Sequence, residues 1–183
     1  YDKYLPTLRF PCKQAGKEAT SYEYRPIDDC SASGLNLATS TIEKMKMHGL
    51  ELILSSAHLV RSTFSDWPGE DGAPVFAKGD HEKAYRQWPV HEDDYHLLVT
   101  FVWSDEVGDN GGYEVFAHRA LPFGAMAAVM LYTQISQGVC MALRRVLAIP
   151  QQAYVDDFLR VGPLLWASLQ ERAFRRIHEL IGI

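Results

Sequence analysis

The sequence Tyr-Val-Asp-Asp-Phe-Leu at residues 154–159 is the most informative segment of this chain. Two adjacent carboxylates stand there between apolar residues, and an unpaired anion is strongly disfavoured in a protein core. Magnesium would compensate this charge, because it prefers oxygen ligands and usually lies between carboxylates and a substrate phosphate. A solvated turn between two short strands explains the same residues equally well. A third carboxylate in a similar setting would favour the metal site.

Asp80 is such a carboxylate, since it ends the apolar segment at residues 75–80. An aromatic residue, Tyr85, follows it by five positions. Leu-Pro-Phe-Gly at residues 121–124 lies between Asp80 and the paired aspartates, and this tight turn leads into a long apolar run. The chain therefore presents three distinctive segments in a fixed order.

In this order the segments resemble the palm motifs of the reverse transcriptases of retroviruses and retrotransposons. Residues 80–90 match the first motif and residues 154–157 match the third. Residues 121–124 match the second motif in the form typical of retrotransposons. Each motif is weak by itself, whereas their joint order and spacing are specific.

An upstream segment extends the resemblance to about residues 22–181. Residues 24–29, followed by Leu35-Asn36, are similar to the fingers element of the family, which reads roughly Arg-x-x-x-Asp and then Leu-Asn. Two departures occur here. Cys30-Ser31 stands where the family usually has a basic residue, and two extra residues precede Leu35-Asn36.

The resemblance implies an α+β fold, the right-hand fingers and palm of a polymerase, with an antiparallel palm sheet packed on helices. We expect residues 1–72 to form a fingers-like part and residues 73–183 a palm-like part carrying the carboxylates. Together they would form one reverse transcriptase domain. The thumb and RNase H portions would belong to a larger polyprotein outside this sequence.

The implied activity is that of an RNA-directed DNA polymerase, a nucleotidyltransferase that extends a primer on an RNA or DNA template with deoxynucleoside triphosphates. Asp80, Asp156 and Asp157 are the expected catalytic residues and metal ligands. The expected cofactor is a pair of Mg²⁺ ions, with Mn²⁺ as an alternative. Solvated turn acids are the other interpretation of these three residues.

Arg25 is the candidate for binding the triphosphate, because its planar guanidinium suits bidentate phosphate contact. A surface ion pair with Asp28 or Asp29 would explain the same arginine. Lys17 is a further candidate phosphate contact.

Tyr85, Phe123 and Gly124 complete the expected substrate-binding set. The resemblance places Tyr85 beneath the incoming sugar, where it would exclude a 2′-hydroxyl. Phe123 and Gly124 would let the nucleic acid or nucleotide approach the backbone, since glycine lacks a Cβ. An ordinary packed tyrosine and a plain turn before a helix are the alternatives.

Two rival functions stay open. One is a palm of the RNA-dependent RNA polymerase type, which shares the metal chemistry. The other is an inactive, co-opted remnant that only binds nucleic acid or another protein.

Composition sets further limits on function. The net charge of −5 is unfavourable for a nucleic-acid-binding protein. The negative charge is concentrated in residues 47–114, which carry thirteen acidic and four basic side chains, whereas the segments before and after them are mildly basic. We expect weak binding that falls as salt rises. Arg144 and Arg145 interrupt the longest apolar run, and no secretory leader is visible. An intracellular protein, in the cytoplasm or nucleus, without a membrane partner is therefore expected.

The hydrophobic pattern also predicts individual elements. Residues 1–20 are predicted to be irregular. Strands are predicted at residues 21–27, 75–80, 95–103 and 113–118, helices at 50–64, 124–147 and from 163 onward, and a hairpin at 153–161.

Overall fold

The computed structural model describes residues 6–15, 21–40, 47 and 49–182, and within them the protein is α+β. The strands are β1 Thr7–Ala15, β2 Tyr22–Asp28, β3 Pro74–Asp80, β4 Val99–Ser104, β5 Gly112–Ala117, β6 Gln151–Tyr154 and β7 Asp157–Pro163. The helices are α1 Leu35–Ala38, α2 Leu50–Thr63, α3 Met126–Leu147 and α4 Ala167–Ile181. Short 3₁₀ turns occupy Ala84–Gln87, Glu92–Leu97 and Leu164–Trp166.

The chain forms two compact units that alternate along the sequence. The first unit comprises Tyr1–Glu43 and Tyr85–Met130, and the second comprises Lys44–Ala84 and Leu131–Ile183. This division differs from a single boundary between residues 72 and 73. The assignment of fingers-like and palm-like parts on either side of that boundary stays a prediction.

The second unit is an antiparallel sheet, in the order β3-β7-β6, with helices on both faces. Successive side chains of β7 point to opposite faces. Phe158 packs with residues of α3 and with Phe174 of α4. Val161 packs on the other face against Ile53 and Val60 of α2. Apolar residues on both faces of β7 make it the buried central strand.

The first unit contains a four-stranded sheet in the order β2-β1-β4-β5. Its pairs are antiparallel except that β1 runs parallel to β4, with Thr7 opposite Thr100. The buried core of the unit consists of Cys30, Leu35, Leu121, Ala125 and Ala128. The segments that carry the fingers-like and Leu-Pro-Phe-Gly motifs therefore share one core.

Most of the predicted elements are confirmed, and three are wrong at their ends or in kind. Thr7–Ala15 was expected to be irregular but forms β1, in which Pro11 lies opposite Pro26 of β2. β4 begins only at Val99, because Glu92–Leu97 forms a 3₁₀ turn. The last helix begins at Ala167 rather than at residue 163, which ends β7.

Helix α3 is 22 residues long, and by length and composition alone it is apolar enough to cross a membrane, contrary to the expectation from its two arginines. Core helices of soluble proteins can be equally long and apolar. In this helix Tyr132, Ser136, Cys140 and Leu143 are fully buried inside the protein.

Candidate functional site

Two of the three predicted catalytic carboxylates lie directly opposite each other in the second unit. The antiparallel register of β3 and β7 pairs Asp80 with Asp157. Residues that face each other in an antiparallel pair project to the same side of the sheet. Asp156 and Val155 form the two-residue connection between β6 and β7. The second unit thus carries all three carboxylates at one end of its sheet.

The hairpin that holds the paired aspartates has a strained turn. Val155 has a positive φ of 57°, which is rare for a β-branched residue. Such a conformation costs on the order of 1–3 kcal/mol and persists only when its surroundings enforce it. The buried Ser136 of α3 donates its hydroxyl to the Val155 carbonyl oxygen at 2.7 Å. Helix α3 therefore fixes the turn from which Asp156 projects.

Lys78 supplies a positive charge to the same group. Its Nζ lies 2.9 Å from Oδ1 of Asp157, and both side chains are well exposed. The hydrogen bond and charge of Asp157 raise the pKa of Lys78, and the charges of Asp80 and Asp156 raise it further. The ammonium is therefore within the electrostatic reach of all three carboxylates. Lys78 and Asp80 are two residues apart on one strand, and such residues lie on the same face of a sheet. This spacing in the sequence could have indicated that Lys78 lies beside the carboxylates.

The donor set fits a hard divalent cation. Among the residues that the structure describes, no three His, Cys, Asp or Glu side chains are gathered into a ready-made metal site. The carboxylates at positions 80, 156 and 157 nevertheless offer only oxygen donors, as magnesium requires. The lysine ammonium beside them shows that the group already attracts a cation.

An open pocket of about 480 Å³ borders this group on the side of the sheet that carries α2. Lys78 and Asp157 contribute polar atoms to its wall. Leu50, Ile53 and Leu159 contribute apolar surface. The end of the sheet with the carboxylates is therefore accessible rather than sealed in the core.

Three of the predicted substrate-binding residues meet in the first unit. The ring centroid of Phe123 lies 5.2 Å from that of Tyr85, in an edge-to-face arrangement. The guanidinium carbon of Arg25 lies 5.5 Å from the Phe123 ring centroid. A second arginine, Arg86, lies 6.0 Å from the same ring. Phe123 is thus the centre of an aromatic and cationic cluster.

Position 124 requires a glycine because of its backbone conformation and its close contact with Asp28. Its φ is +105°, and a Cβ there would lie 2.0 Å from the carbonyl oxygen of Asp28. Asn36 holds the turn from the other side, since its Nδ2 donates to the Gly124 carbonyl oxygen at 3.0 Å and its Oδ1 accepts from the Met126 N–H at 2.8 Å. The Leu-Asn pair of the fingers-like element therefore binds the Leu-Pro-Phe-Gly turn, despite the two extra residues before it.

Asp28 anchors this arrangement through a buried ionic network. Arg9 donates to both of its carboxylate oxygens, at 2.9 and 3.2 Å. Thr100 donates to it at 3.2 Å, and the Nε2 of His118 lies 3.3 Å away. Burial acts to raise the pKa of Asp28, but the hydrogen bonds and charges of His118 and Arg9 outweigh it and lower the pKa to about 2. Arg9, rather than Arg25, is thus the close ionic partner of Asp28.

The predicted residues consequently fall into two groups. Asp80, Asp156 and Asp157 belong to the second unit, and Arg25, Tyr85, Phe123 and Gly124 belong to the first. Lys17 lies outside the described residues. The roles of Asn36, Ser136 and Lys78 were not predicted.

The α+β fold, with antiparallel sheets packed on helices, is consistent with a polymerase palm. The chain is similar to a foamy viral protease-reverse transcriptase whose structure was solved in complex with double-stranded DNA, with a TM-score of 0.60 and 15% sequence identity. The match covers 95% of this chain and 25% of the viral one, so the chain spans about a quarter of that protein's length. No protein-family model and no curated protein matches the sequence.

Proposed function

We propose that this chain carries the nucleotidyl-transfer site of an RNA-directed DNA polymerase of a retroelement. The observation that carries the proposal is the register of β3 and β7, which sets Asp80 opposite Asp157 with Asp156 in the adjoining turn. These are the carboxylates of the first and third motifs. The shared polymerase fold supports this assignment.

Asp80, Asp156 and Asp157 would hold the divalent ions, with Mg²⁺ as the first choice and Mn²⁺ as the alternative. The chemistry that such ions supply is stabilisation of the attacking primer 3′-oxygen and of the leaving pyrophosphate. The chain's own contribution is to hold three carboxylates at the end of a rigid sheet. Ser136 and the strained Val155 fix the turn that presents Asp156.

The cluster around Phe123 would bind the incoming deoxynucleoside triphosphate. Arg25 is exposed, so its guanidinium is available to a phosphate. Tyr85 packs edge-to-face on Phe123, which limits the movement of its ring. A ring fixed in this way would exclude a sugar 2′-hydroxyl by steric contact. An RNA or DNA template with its primer would complete the substrate, and any thumb and RNase H portions would lie elsewhere in a larger polyprotein.

Primer extension by wild type and Asp156→Asn tests the proposal. The substitution removes one anionic metal ligand and keeps the size of the side chain. Loss of an outer-shell partner typically lowers activity by about 10–100-fold, so loss of a direct ligand should reduce extension by at least about a hundredfold. Binding of the primer–template, measured by fluorescence anisotropy, should change little.

Asp66→Asn is the matched control, because Asp66 is an exposed acid of the same unit. It should extend the primer like wild type. Equal extension by wild type and Asp156→Asn would contradict the proposal. Nucleic-acid binding without extension by either protein would favour the co-opted remnant. Preference for ribonucleotides would favour the RNA polymerase palm.

A further inference from the structure

Lys78 is the charged residue at the carboxylate group for which the proposed chemistry has no role. Its ammonium contacts Asp157 at 2.9 Å, while 63% of its side chain is exposed. Exposed ion pairs contribute little to stability, so this pair can open at little cost. A doubly charged ion would bind the same carboxylate much more strongly than one ammonium does.

We infer that Lys78 is the exchangeable counter-cation of the metal-binding carboxylates. Its ammonium pairs with Asp157 in the metal-free protein and leaves when a divalent ion binds. The inference rests on the proposed function, because it takes Asp80, Asp156 and Asp157 as metal ligands.

The register of the sheet makes this competition unavoidable. Lys78 lies opposite Leu159 and two residues before Asp80, so its side chain starts on the face that carries Asp80 and Asp157. The backbone of Lys78 is held in β3, and only its flexible four-carbon stem can move. After displacement the positive charge remains tethered close to the bound ion and repels it. Lys78 should therefore weaken divalent-ion binding.

The experiment is a titration of the full 183-residue chain with Mn²⁺, in which the electron paramagnetic resonance signal reports free Mn²⁺. Lys78→Gln removes the charge and keeps most of the stem. One unit charge about 6 Å from a divalent ion in water changes its affinity by roughly tenfold, and physiological salt reduces this effect. We expect the dissociation constant for Mn²⁺ to fall by about fivefold in Lys78→Gln.

Two variants control for the position and the charge. Lys83→Gln makes the same change at an exposed lysine of this unit that pairs with Glu82. Lys78→Arg keeps the positive charge at the original position. Both should bind Mn²⁺ within about twofold of wild type, since neither removes the charge beside Asp157. Thermal unfolding checks that each variant is folded.

The outcomes separate this inference from the proposed function. Unchanged or weaker Mn²⁺ binding in Lys78→Gln would overturn the role of Lys78. If Asp80→Asn nevertheless abolishes the Mn²⁺ binding of the wild type, the proposed metal site stands. If wild type and Lys78→Gln show no Mn²⁺ binding that depends on Asp80, both the inference and the proposed metal site fall.

Discussion

Replacing Asp28 by asparagine should destabilise the first unit and loosen the turn that presents Phe123. The carboxylate of Asp28 is buried and accepts hydrogen bonds from Arg9 and Thr100. Its backbone N–H also bonds to the Phe123 carbonyl oxygen at 3.3 Å. The substitution keeps the size of the side chain but removes the negative charge that these partners surround.

The magnitude follows from the pKa of Asp28. Its ordinary value is 3.8, and the folded protein lowers it to about 2. At about 1.36 kcal/mol for each pKa unit, the charged form contributes roughly 2 kcal/mol to the free energy of unfolding at neutral pH. Because the pKa is lowered by folding, this contribution is complete well above pH 3.8 and is lost as the pH falls through about 2. Near pH 3 it should have fallen to roughly half of its value at neutral pH.

Urea denaturation of wild type and Asp28→Asn, followed by circular dichroism, measures this difference. The gap in unfolding free energy should be about 2–4 kcal/mol near pH 7, because breaking a buried pair also strands its cations. The gap should narrow near pH 3. The control is Asp29→Asn, since the half-buried Asp29 accepts one hydrogen bond from the Ala32 N–H, which asparagine can also accept. We expect it to cost less than about 0.5 kcal/mol.

Two results would refute this reasoning. One is a loss below about 0.5 kcal/mol in Asp28→Asn at neutral pH, which is the range of ordinary surface substitutions. The other is a gap between wild type and Asp28→Asn that stays constant on acidification, since the linkage argument requires it to shrink.

Three further substitutions, one of them with a matched control, test the geometry of the site. Ser136→Ala removes the donor to the Val155 carbonyl oxygen and should lower the unfolding free energy by about 1–3 kcal/mol; an unchanged melting curve would contradict this role. Gly124→Ala forces a Cβ against a backbone carbonyl at positive φ and should cost more than about 3 kcal/mol. By contrast Gly138→Ala, in an exposed part of α3 with open space around it, should stabilise the protein by about 0.5–1 kcal/mol. Tyr85→Val should raise ribonucleotide incorporation relative to deoxyribonucleotides by about tenfold or more in primer extension, and an unchanged ratio would remove its proposed role in sugar discrimination.

The regular elements were predictable where the sequence has a clear period. Helix α2 and strand β3 follow directly from helical and extended patterns of apolar residues. β1 was missed because Pro11 interrupts its alternation, and a proline in a strand usually indicates an edge or a break. The start of β4 was misplaced because Tyr95, Leu97 and Leu98 continue the apolar and aromatic pattern of the strand but belong to a 3₁₀ turn and its end.

The site was only partly predictable, for a different reason. The order of the motifs led to the expectation that Asp80 and the paired aspartates lie together. The contributions of Asn36 and Ser136 depend on hydrogen bonds to residues far away in the chain. Asn36 bonds to a residue 88 positions away, and Ser136 bonds to one 19 positions away. Such contacts leave no periodic signal in one sequence. The ionic partners of Asp28 were missed in the same way, since Arg9 is brought to it by the register of β1 and β2, and His118 by a contact 90 positions away in the chain.

The placement of the paired aspartates is a property of the whole second unit rather than of the Asp-Asp dipeptide. An unfolded chain would rarely adopt a positive φ at Val155, because a β-branched residue is strained in that conformation. The turn is held by Ser136 on one side and by the pairing of Tyr154 with Asp157 on the other. Both contacts exist only in a protein in which α3 and the sheet are formed. If the strain is part of the site, Val155→Gly should stabilise the hairpin yet leave the direction of Asp156 less well defined. Mn²⁺ binding should then weaken, while the melting temperature is maintained or rises. Tighter Mn²⁺ binding in that variant would show that the strained turn opposes the site rather than shaping it.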